Sequence, residues 1–404
     1  MSLEIRAIGA DEVDALLLAD HRGFALPPPD PKYSRSWTEG ELDRTRVAFE
    51  NGKMVGVSRT YSFEMTMPGG SLLPAAAVSW VSVQPTHRRR GILTQLMNAM
   101  HDDARERAEP AAILTASESI IYGRFGYGIA TWRLGLTTDR GAVEIVAEAD
   151  DGAIRLLDRD EAARELPPLY DRAMTARAGM VSRPDYWWPA VFFDHFVDPK
   201  QAAFIAVHTD AAGVDDGYVL YQVTDEWKNG LPDRTLQIWD MQAVTPEARI
   251  ALWQFVVGVD LIEHIEGRNL PVDDPLRHLV ADPRRVRVHF MNDGCWLAPL
   301  DPVALLDGRD YAVPGRVVIA VHAPDGGVTT VAVEATDGGA KAARTDDVAD
   351  FACTSSVLGA CCLGGNRWTE FAAAGRLDVA NAGAVVHADL MFSTTPAPAM
   401  LSYF

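Results

Sequence analysis

The sequence predicts a mixed α/β protein of two or three domains. Segments with the two-residue period of strands alternate with segments of helical period, which is the order typical of this class. The 404 residues are enough for two or three domains of usual size, each with its own core. Contents of 48% hydrophobic and 23% charged residues are those of an ordinary globular protein.

Charge, cysteines and the N-terminal residues exclude several classes of protein. A net charge of −19 argues against a nucleic-acid partner, because such binding depends on neutralising phosphates. The same charge suits either a polycationic substrate or simple solubility, so it does not decide between them. No apolar run is long enough to span a membrane, the N-terminus lacks the pattern of a secretory signal, and the cysteines lack metal-ligand spacing. We therefore expect a reduced, cytoplasmic protein without a membrane partner or a metal site.

The first domain is expected to alternate strands and helices over roughly 140 residues. Asn51-Gly52 lies between two alternating segments, which is the signal of a β-hairpin. A proline-rich loop at 21–45 is suited to cover a pocket, although a plain surface connection explains it equally well. The predicted elements are a strand at 3–7, a helix at 10–19, strands at 46–50, 54–67 and 75–83, a helix from 91, a strand at 111–116, and a closing strand at 130–138.

The connection between the strand at 75–83 and the next helix carries the strongest functional signal. Three arginines and Gly91 follow the strand, and from Ile92 the apolar residues recur at helical spacing. Free N–H groups in the first turn of a helix attract an anion, and arginines add charge and paired donors for phosphate oxygens. The pattern predicts a phosphate-binding turn, against the alternative of a helix that merely begins with solvated arginines. The single glycine and the absence of a following Lys-Ser or Lys-Thr exclude a dinucleotide fingerprint and a Walker loop.

The rest of the chain divides into two further parts. A strand at 235–244, an N-cap at Thr245 and a helix at 250–261 repeat the unit of the first domain with a neutral-to-acidic turn. We interpret this part as a second domain of the same fold that has lost its cofactor, and an unrelated α/β domain is the alternative. The third part has a strand at 296–299, hairpin strands near 315–334, helices at 346–359 and 367–374, and an apolar end that is not expected to lie in solvent.

Two motifs carry a resemblance to a known family. The turn at 88–93 resembles the Q/R-x-x-G-x-G/A turn of the GCN5-related N-acetyltransferases (GNATs), although Leu93 replaces the usual small residue. The segment 122–127 resembles the Y-x-x-x-G-F/Y close of the same domains, and segments between 357 and 377 resemble a sterol-carrier-protein-type fold. Over essentially its whole length, through strings such as Pro85-Thr86-His87-Arg88-Arg89-Arg90-Gly91, the chain is similar to the Eis-type (enhanced intracellular survival) acetyltransferases of actinobacteria.

The resemblance implies two tandem GNAT folds and a sterol-carrier-protein-like α/β domain. The expected ranges are 1–145 for the acetyl-CoA-binding domain, 146–292 for the second, cofactor-less domain, and 293–404 for the third. It also implies which residues bind the cofactor and the acceptor amine. Pantetheine would meet Val81 and Val83, pyrophosphate would meet Arg88, Arg89, Arg90, Gly91, Ile92 and Leu93, Ser117 would line the cofactor, and Phe24, Trp37 and Trp80 would contact the acceptor.

Two further residues would carry the chemistry that the resemblance implies. Tyr122 would be the general acid for the leaving CoA thiolate, which a phenol can be because its pKa, about 10, lies above that of a thiol, about 8.5. The α-carboxylate of Phe404 would orient or deprotonate the acceptor amine. His87, beside the arginines, is expected to be structural.

The acceptor and the assembly are the least determined parts of the prediction. The resemblance implies a homohexamer that acetylates aminoglycosides at primary amines. The sequence leaves open an enzyme that acetylates lysine side chains or arylamines. It also leaves open a non-enzymatic carrier of lipids or metabolites built on the third domain.

Overall fold

The structure is a computed structural model that describes residues 3–28, 41–148, 151–188 and 201–404. It divides into two compact units. The first unit comprises Met1–Thr131, Cys295–Thr395 and Ser402–Phe404, and the second comprises Trp132–Gly294 and Pro396–Leu401. The chain therefore leaves the first unit twice and returns to it twice.

Strands and helices alternate along the chain, which confirms the predicted mixed α/β class. Residues up to 131 form β1 (Leu3–Arg6), α1 (Val13–Gly23), β2 (Thr45–Glu50), β3 (Lys53–Thr66), β4 (Leu72–Val83), α2 (Ile92–Glu106), β5 (Ala111–Leu114), α3 (Ser119–Tyr122) and β6 (Gly128–Ile129). Residues 132–294 form β7 (Trp132–Asp139), β8 (Ala153–Leu157), α4 (Arg159–Met174), β9 (Ala202–Thr209), β10 (Asp215–Val223), β11 (Trp227–Lys228), β12 (Leu231–Pro232), β13 (Thr235–Ala243), α5 (Pro246–Gly258), β14 (His264–Pro271), α6 (Leu276–Leu279) and β15 (Arg287–Asp293). The remainder forms β16 (Trp296–Pro299), α7 (Pro302–Asp307), β17 (Gly315–His322), β18 (Val328–Thr336), β19 (Gly339–Arg344), β20 (Phe351–Thr354), α8 (Ser355–Cys361), α9 (Trp368–Ala373), β21 (Asp378–Val379) and α10 (Ala382–Phe392).

In the first unit, seven strands form a mixed sheet in the order β1-β2-β3-β4-β5-β16-β6. The predicted hairpin joins β2 to β3, and both Asn51 and Gly52 have positive φ, as the tightest hairpin turns require. β4 pairs in parallel with β5 only at residues 75–77. Beyond that point β4 and β5 separate, which leaves an opening in the sheet toward the carboxyl end of β4.

Two strands lie in other sheets than the sequence suggested. β7, which we predicted to close the first domain, pairs with β14 and β15 in the second unit. β16, which we predicted to belong to the third domain, pairs with β5 and β6 in the first sheet. The alternation of a strand is a local pattern, and it does not specify which distant strand the segment pairs with.

Helices cover both faces of the first sheet. α1 packs Leu16 against Val57 on one side, called the α1 face. α2 packs Leu96 against Ala48 on the opposite side, called the α2 face. A larger cluster on the α2 face joins α2 to β5, β16 and Tyr122. The segment after β5 is thereby fixed against the same helix that begins at the basic turn.

The second unit has a seven-stranded sheet in the order β15-β7-β14-β13-β10-β9-β8. α4 packs on one face and α5 on the other. The predicted strand and capped helix are present, because the Thr245 hydroxyl accepts a hydrogen bond of 3.1 Å from the N–H of Ala248 at the start of α5. The second unit therefore repeats the strand-then-helix arrangement of β4 and α2.

The third part of the chain adds a five-stranded sheet in the order β19-β18-β17-β20-β21. The helix predicted at 346–359 is wrong, because Phe351–Thr354 is a strand and the helix begins only at Ser355. Phe351 and Cys353 are buried while their neighbours are not, so this part has the two-residue period of a strand. Inside the domain, the ring of Trp368 lies 5.1 Å from that of Phe351 and 5.2 Å from that of Phe392.

Buried groups at the end of the chain agree with its apolar composition. Met400 and Leu401 are 3% and 5% exposed, and Phe404 is half-buried. All four cysteines are buried free thiols, so no disulfide links the adjacent pair. In the described ranges, no helix is both long and apolar enough to cross a membrane.

Gly128 on β6 lies directly against α8, and we predict that even alanine cannot replace it. A Cβ atom there would stand 1.8 Å from the carbonyl oxygen of Ser356, so backbone would have to move. Gly128→Ala is expected to lower the free energy of unfolding by about 2 kcal/mol or more, in the range of overpacked sites. Thermal and urea unfolding measure this. Gly141→Ala, where a Cβ meets nothing within 4 Å, is the control, and equal stability of the two variants would contradict the close packing.

Candidate active site

The basic turn ends at a helix whose first N–H groups are not capped by a side chain. Arg89 and Gly91 both have left-handed backbone angles, with φ of 60° and 77°. Gly91 is the N-cap of α2, and a Cβ atom added to it would meet nothing within 4 Å. The N–H groups of the first turn have no partner inside the helix. The turn thus presents donors and the positive end of the helix dipole to open space.

The three arginines of the turn have different partners. The guanidinium of Arg90 forms an ion pair with the carboxylate of Glu50 at the end of β2. That hydrogen bond, with a smaller contribution from His87, holds the pKa of the Glu50 carboxyl below its usual value. Arg88 donates to the carbonyl oxygen of Gly23 at 3.3 Å, and Arg89 is exposed. Arg90 therefore holds the turn to β2, while Arg89 is the arginine most accessible to an anion.

His87 takes part in the same arrangement. Its Nε2 lies 3.1 Å from the Glu50 carboxylate, and its Nδ1 lies 2.8 Å from the hydroxyl of Thr86. One ring nitrogen is thus occupied by Glu50 of β2 and the other by Thr86 of the turn. This geometry agrees with the structural role predicted for His87.

A β-bulge in β4 determines which of its side chains face α1 and which face α2. Arg59 of β3 pairs with Ser79 and Val57 with Ser82, so Trp80 and Val81 together oppose a single residue. Trp80 has a φ of 55° and packs on the α1 face, whereas Val81 packs on the α2 face. Without the extra residue, every later side chain of β4 would face the other side.

The opening beside this bulge provides unpaired backbone. After residue 77, β4 has no pairing with β5, although β3 still pairs with its other edge. Val81 and Val83 lie in this free part of β4, and Ser117 is exposed shortly after the end of β5. Val81 and Val83 are therefore on the β4 side of the opening, and Ser117 follows β5 on its other side.

Tyr122, the predicted acid, is the last residue of α3 and is 5% exposed. Its ring meets the edge of Tyr127 at a centroid distance of 5.9 Å. Burial raises the pKa of the Tyr122 phenol, and the charge of Glu118 adds to this effect. The Tyr127 hydroxyl lies 2.9 Å from Nε2 of His101, whose pKa burial lowers to about 4. Both phenols are therefore protonated at neutral pH, and Tyr127 is engaged in the core.

The last residue of the chain lies in the first unit on the α1 face. The ring of Phe404 meets Phe63 of β3 at 5.3 Å between centroids, and Phe63 stacks on Tyr61 at 5.9 Å. Two residues further along β3, the buried guanidinium of Arg59 lies over Tyr61 and faces the ring of Trp80. A row of aromatic rings and a buried cation thus leads from Phe404 toward the bulge.

Three further residues, Phe24, Trp37 and Trp80, are predicted to contact the acceptor. Phe24, at the end of α1, is 40% exposed. Trp37 lies outside the described residues. Trp80 is half-buried against α1, so only part of its ring is available to a ligand.

Sequence reasoning missed Glu50 and Asp20. Asp20 on α1 is 8% exposed and accepts a hydrogen bond from the Ser82 hydroxyl. Burial raises the pKa of its carboxyl to about 7, against which the bond from Ser82 acts only partly. One carboxyl oxygen has no partner among the described residues. Neither residue belongs to a sequence motif. The environment of each comes from a contact with a distant segment, with Arg90 for Glu50 and with Ser82 for Asp20.

Comparisons with known proteins identify the family. Residues 4–130 and 179–303 match the acetyltransferase (GNAT) domain, and residues 303–401 match the sterol carrier protein domain. The chain is 32% identical to the N-acetyltransferase Eis of Mycobacterium tuberculosis over 381 residues, which cover 90% of both proteins. It belongs to the Eis family of N-acetyltransferases.

A second relative and a solved structure are similar to nearly the whole chain. An uncharacterized N-acetyltransferase of Streptomyces avermitilis is 35% identical over 404 residues, 98% of each chain. The crystal structure of Eis1 from Mycobacterium abscessus has a TM-score of 0.89 at 35% identity and covers 99% of this chain and 100% of its own. The predicted family and its order of two GNAT domains and a sterol carrier protein domain are confirmed. The protein is a GNAT N-acetyltransferase, and enzymes of this class use acetyl-CoA.

The raised pKa of Asp20 predicts a pH-dependent stability. Between about pH 4 and 7 the folded protein binds one more proton at this carboxyl than the unfolded chain, so its contribution to stability falls as the pH rises and levels off above 7. Asp20→Asn is expected to remove this slope and to be more stable at pH 8 by on the order of 1 kcal/mol. Urea unfolding at pH 5 and pH 8 checks this, with Asp14→Asn on the exposed side of α1 as control. A wild-type slope that persists in Asp20→Asn would assign it to another group.

Proposed function

We propose that the protein transfers the acetyl group of acetyl-CoA directly to a primary amine of an aminoglycoside-like or other polyamine substrate. The observation that carries this proposal is the uncapped start of α2 beside the opening between β4 and β5. A phosphate-bearing molecule with a long unbranched arm matches that combination of an anion site and free strand edge. The proposed cofactor-binding part is the first of three domains, with ranges 1–145, 146–292 and 293–404.

The chain's own groups fit the successive parts of acetyl-CoA. Backbone groups of Val81 and Val83 would bind the amides of the pantetheine arm, as an added strand does. The N–H groups of Ile92 and Leu93 in the first turn of α2, with Gly91, would receive the pyrophosphate. Arg88 and Arg89 would add charge, and Arg90 would act through its hold on Glu50. Ser117 would line the cofactor from the other side of the opening.

Tyr122 is proposed to protonate the leaving sulfur. The bond from the amine nitrogen to the acetyl carbon forms as the carbon–sulfur bond breaks, and the thiolate takes the phenolic proton. The raised pKa of Tyr122 keeps this proton available at neutral pH, and burial keeps water from competing. Its packing on the same face as Val81 supports this role, because the acetyl end of the arm would lie there.

The terminal carboxylate of Phe404 is proposed to receive the acceptor amine. A carboxylate stabilises an incoming ammonium and can take its proton, directly or through water. Phe404 and Tyr122 pack on opposite faces of the sheet, and the opening between β4 and β5 is where groups from both faces can approach a bound thioester. Phe24, Trp37 and Trp80 would form the aromatic edge of the acceptor site.

The family supports an amine as the acceptor, because the relative from Mycobacterium tuberculosis is an N-acetyltransferase. The net charge of −19 is compatible with a polycationic amine such as an aminoglycoside. Lysine side chains and arylamines remain alternative acceptors. A carrier function in the third domain is less well supported, because Trp368 and Phe392 fill the space between its helices and sheet. The homohexamer stays a prediction from the resemblance, and the cytoplasmic setting stays a prediction from the cysteines and the N-terminal residues.

Replacing the phenol tests both the reaction and the acid. In an assay of thiol release from acetyl-CoA with a multi-amine aminoglycoside, Tyr122→Phe is expected to lower kcat about 100-fold or more, in the range of general acid catalysis, with acetyl-CoA binding unchanged. Tyr311→Phe, which removes the bond from another tyrosine hydroxyl to the Leu306 carbonyl, is the matched control. Full activity in Tyr122→Phe would move the proton donor elsewhere. No thiol release with any amine would refute the proposed reaction.

The phosphate turn is tested separately. Arg89→Ala is expected to raise the KM for acetyl-CoA about tenfold at unchanged stability, because a charge-assisted hydrogen bond to phosphate contributes about 1.5–3 kcal/mol. Arg105→Ala, at the other end of α2, where the guanidinium pairs with Asp102, controls for the loss of surface charge. An equal change in the two variants would show that general charge, and no specific contact, attracts the cofactor.

A further inference from the structure

The second unit keeps the backbone geometry of the opening proposed to bind acetyl-CoA. β13 pairs in parallel with β14 only over residues 235–238. Directly after this, Tyr221 pairs with Ile238 and Leu220 with Asp240, so Trp239 is an extra residue in β13. A bulge that carries tryptophan beside a separating parallel pair therefore occurs in both units. The second unit therefore contains a cleft between β13 and β14 with the same backbone features as the opening between β4 and β5.

The helix that follows this second cleft is closed to an anion. The Thr245 hydroxyl caps the first turn of α5 and also donates to the Asp216 carboxylate at 2.7 Å. Glu247 adds negative charge in the same turn. No basic turn precedes the helix. The first turn of α5 therefore lacks the uncapped, basic surroundings that the first turn of α2 has.

The segment 396–401 belongs to this unit and is held at alternate residues. The N–H of Ala397 donates to the Asp273 carboxylate at 2.9 Å, and its carbonyl accepts from Arg177 at 2.5 Å. The N–H of Ala399 donates to the carbonyl of residue 178 at 2.9 Å. The carbonyl of Leu401 accepts from the amide nitrogen of Asn269 at 2.6 Å. The backbone of the segment is therefore held at every second residue, by three bonds from side chains and one from backbone.

Apolar contacts add to these hydrogen bonds, and the residues that hold the segment 396–401 are together called the seat. Ala399 is 0% and Leu401 5% exposed, and both belong to the cluster on the α4 face. Trp239 of the bulge packs against the same cluster. Asn269 lies on β14 just past its last pairing with β13 and is 8% exposed. The segment therefore lies at the edges of the second cleft, where an acceptor would approach in an active domain.

We propose that the cleft of the second GNAT domain serves as a seat for the chain's own C-terminal segment, and that Asn269, Arg177 and Asp273 are positioning residues for the terminal carboxylate. This inference rests on the proposed role of Phe404. Only three residues follow Leu401, and they span at most about 11 Å when extended. Fixing Leu401 therefore confines the carboxylate to a small region, which lowers the entropy lost when it orients an amine.

The seat is tested with two variants and a matched control. Asn269→Ala removes the amide that donates to the Leu401 carbonyl. Asp273→Ala removes the carboxylate that accepts from the N–H of Ala397, and this carboxylate is more exposed than the guanidinium of Arg177. Asn292→Ala, an exposed asparagine on β15, is the control. The full-length protein is treated with carboxypeptidase A, and release of Phe404 is followed by mass spectrometry. Both seat variants are expected to release it at least tenfold faster than wild type, and the control is expected to match wild type.

Kinetics then show whether the seat acts on catalysis. With acetyl-CoA and a multi-amine aminoglycoside, the seat variants are expected to lose about tenfold in kcat at an unchanged KM for acetyl-CoA. A general loss of structure would instead change both parameters and the thermal midpoint. Unchanged release of Phe404, or faster release with unchanged kcat, would overturn the positioning role.

Deletion of Phe404 separates this inference from the function on which it rests. A deletion variant that keeps wild-type turnover would refute the carboxylate's role, and the positioning role would fall with it. A deletion that loses turnover, with seat variants that keep it, would refute the seat alone. Loss of turnover in the deletion and in both seat variants, with normal behaviour of Asn292→Ala, supports both.

Discussion

The arrangement of the active site depends on the separation of β4 from β5. Their parallel pairing ends after residue 77, and the bulge at Trp80 turns Val81 toward α2 while Trp80 packs against α1. One extra residue thus sends neighbouring side chains to opposite faces and leaves a strand edge free between them. The uncapped start of α2 and the buried phenol of Tyr122 both adjoin the face to which Val81 belongs. The proposed cofactor site and the proposed acid both lie beside this one irregularity in one strand.

Ion pairs at both ends of α2 hold this helix in place. At its carboxyl end, the buried guanidinium of Arg44 bonds to Asp103 at 3.2 Å and to Glu109 at 2.6 Å. At its amino end, Arg90 pairs with Glu50. Removing one partner of a buried pair is costly because a charge is left uncompensated. α2 is therefore fixed without use of its own first-turn N–H groups, which stay available for an anion.

The two GNAT domains share the geometry of the cleft, but different groups lie beside it in each domain. In the first, the opening lies beside a basic turn and a buried tyrosine. In the second, Thr245 caps the helix and the segment 396–401 takes the cleft edge, with Asn269 as its last contact. Duplication of a fold in this way supplies a groove in which three side chains, those of Arg177, Asn269 and Asp273, bond to the backbone of the segment. The chain's end then continues to the first unit.

By itself, the sequence determined the class, the hairpin at Asn51-Gly52, the cap at Thr245 and the start of α2, because turns, caps and helical periods are local. It also carried the family through the strings around Gly91 and Tyr122. The exchange of β7 and β16 between sheets, the strand at Phe351–Thr354 and the partners of Glu50 and Asp20 were decided only in the folded chain. Each depends on which distant segment comes alongside, and neither the pattern of a strand nor a single carboxylate carries a local signal of that choice.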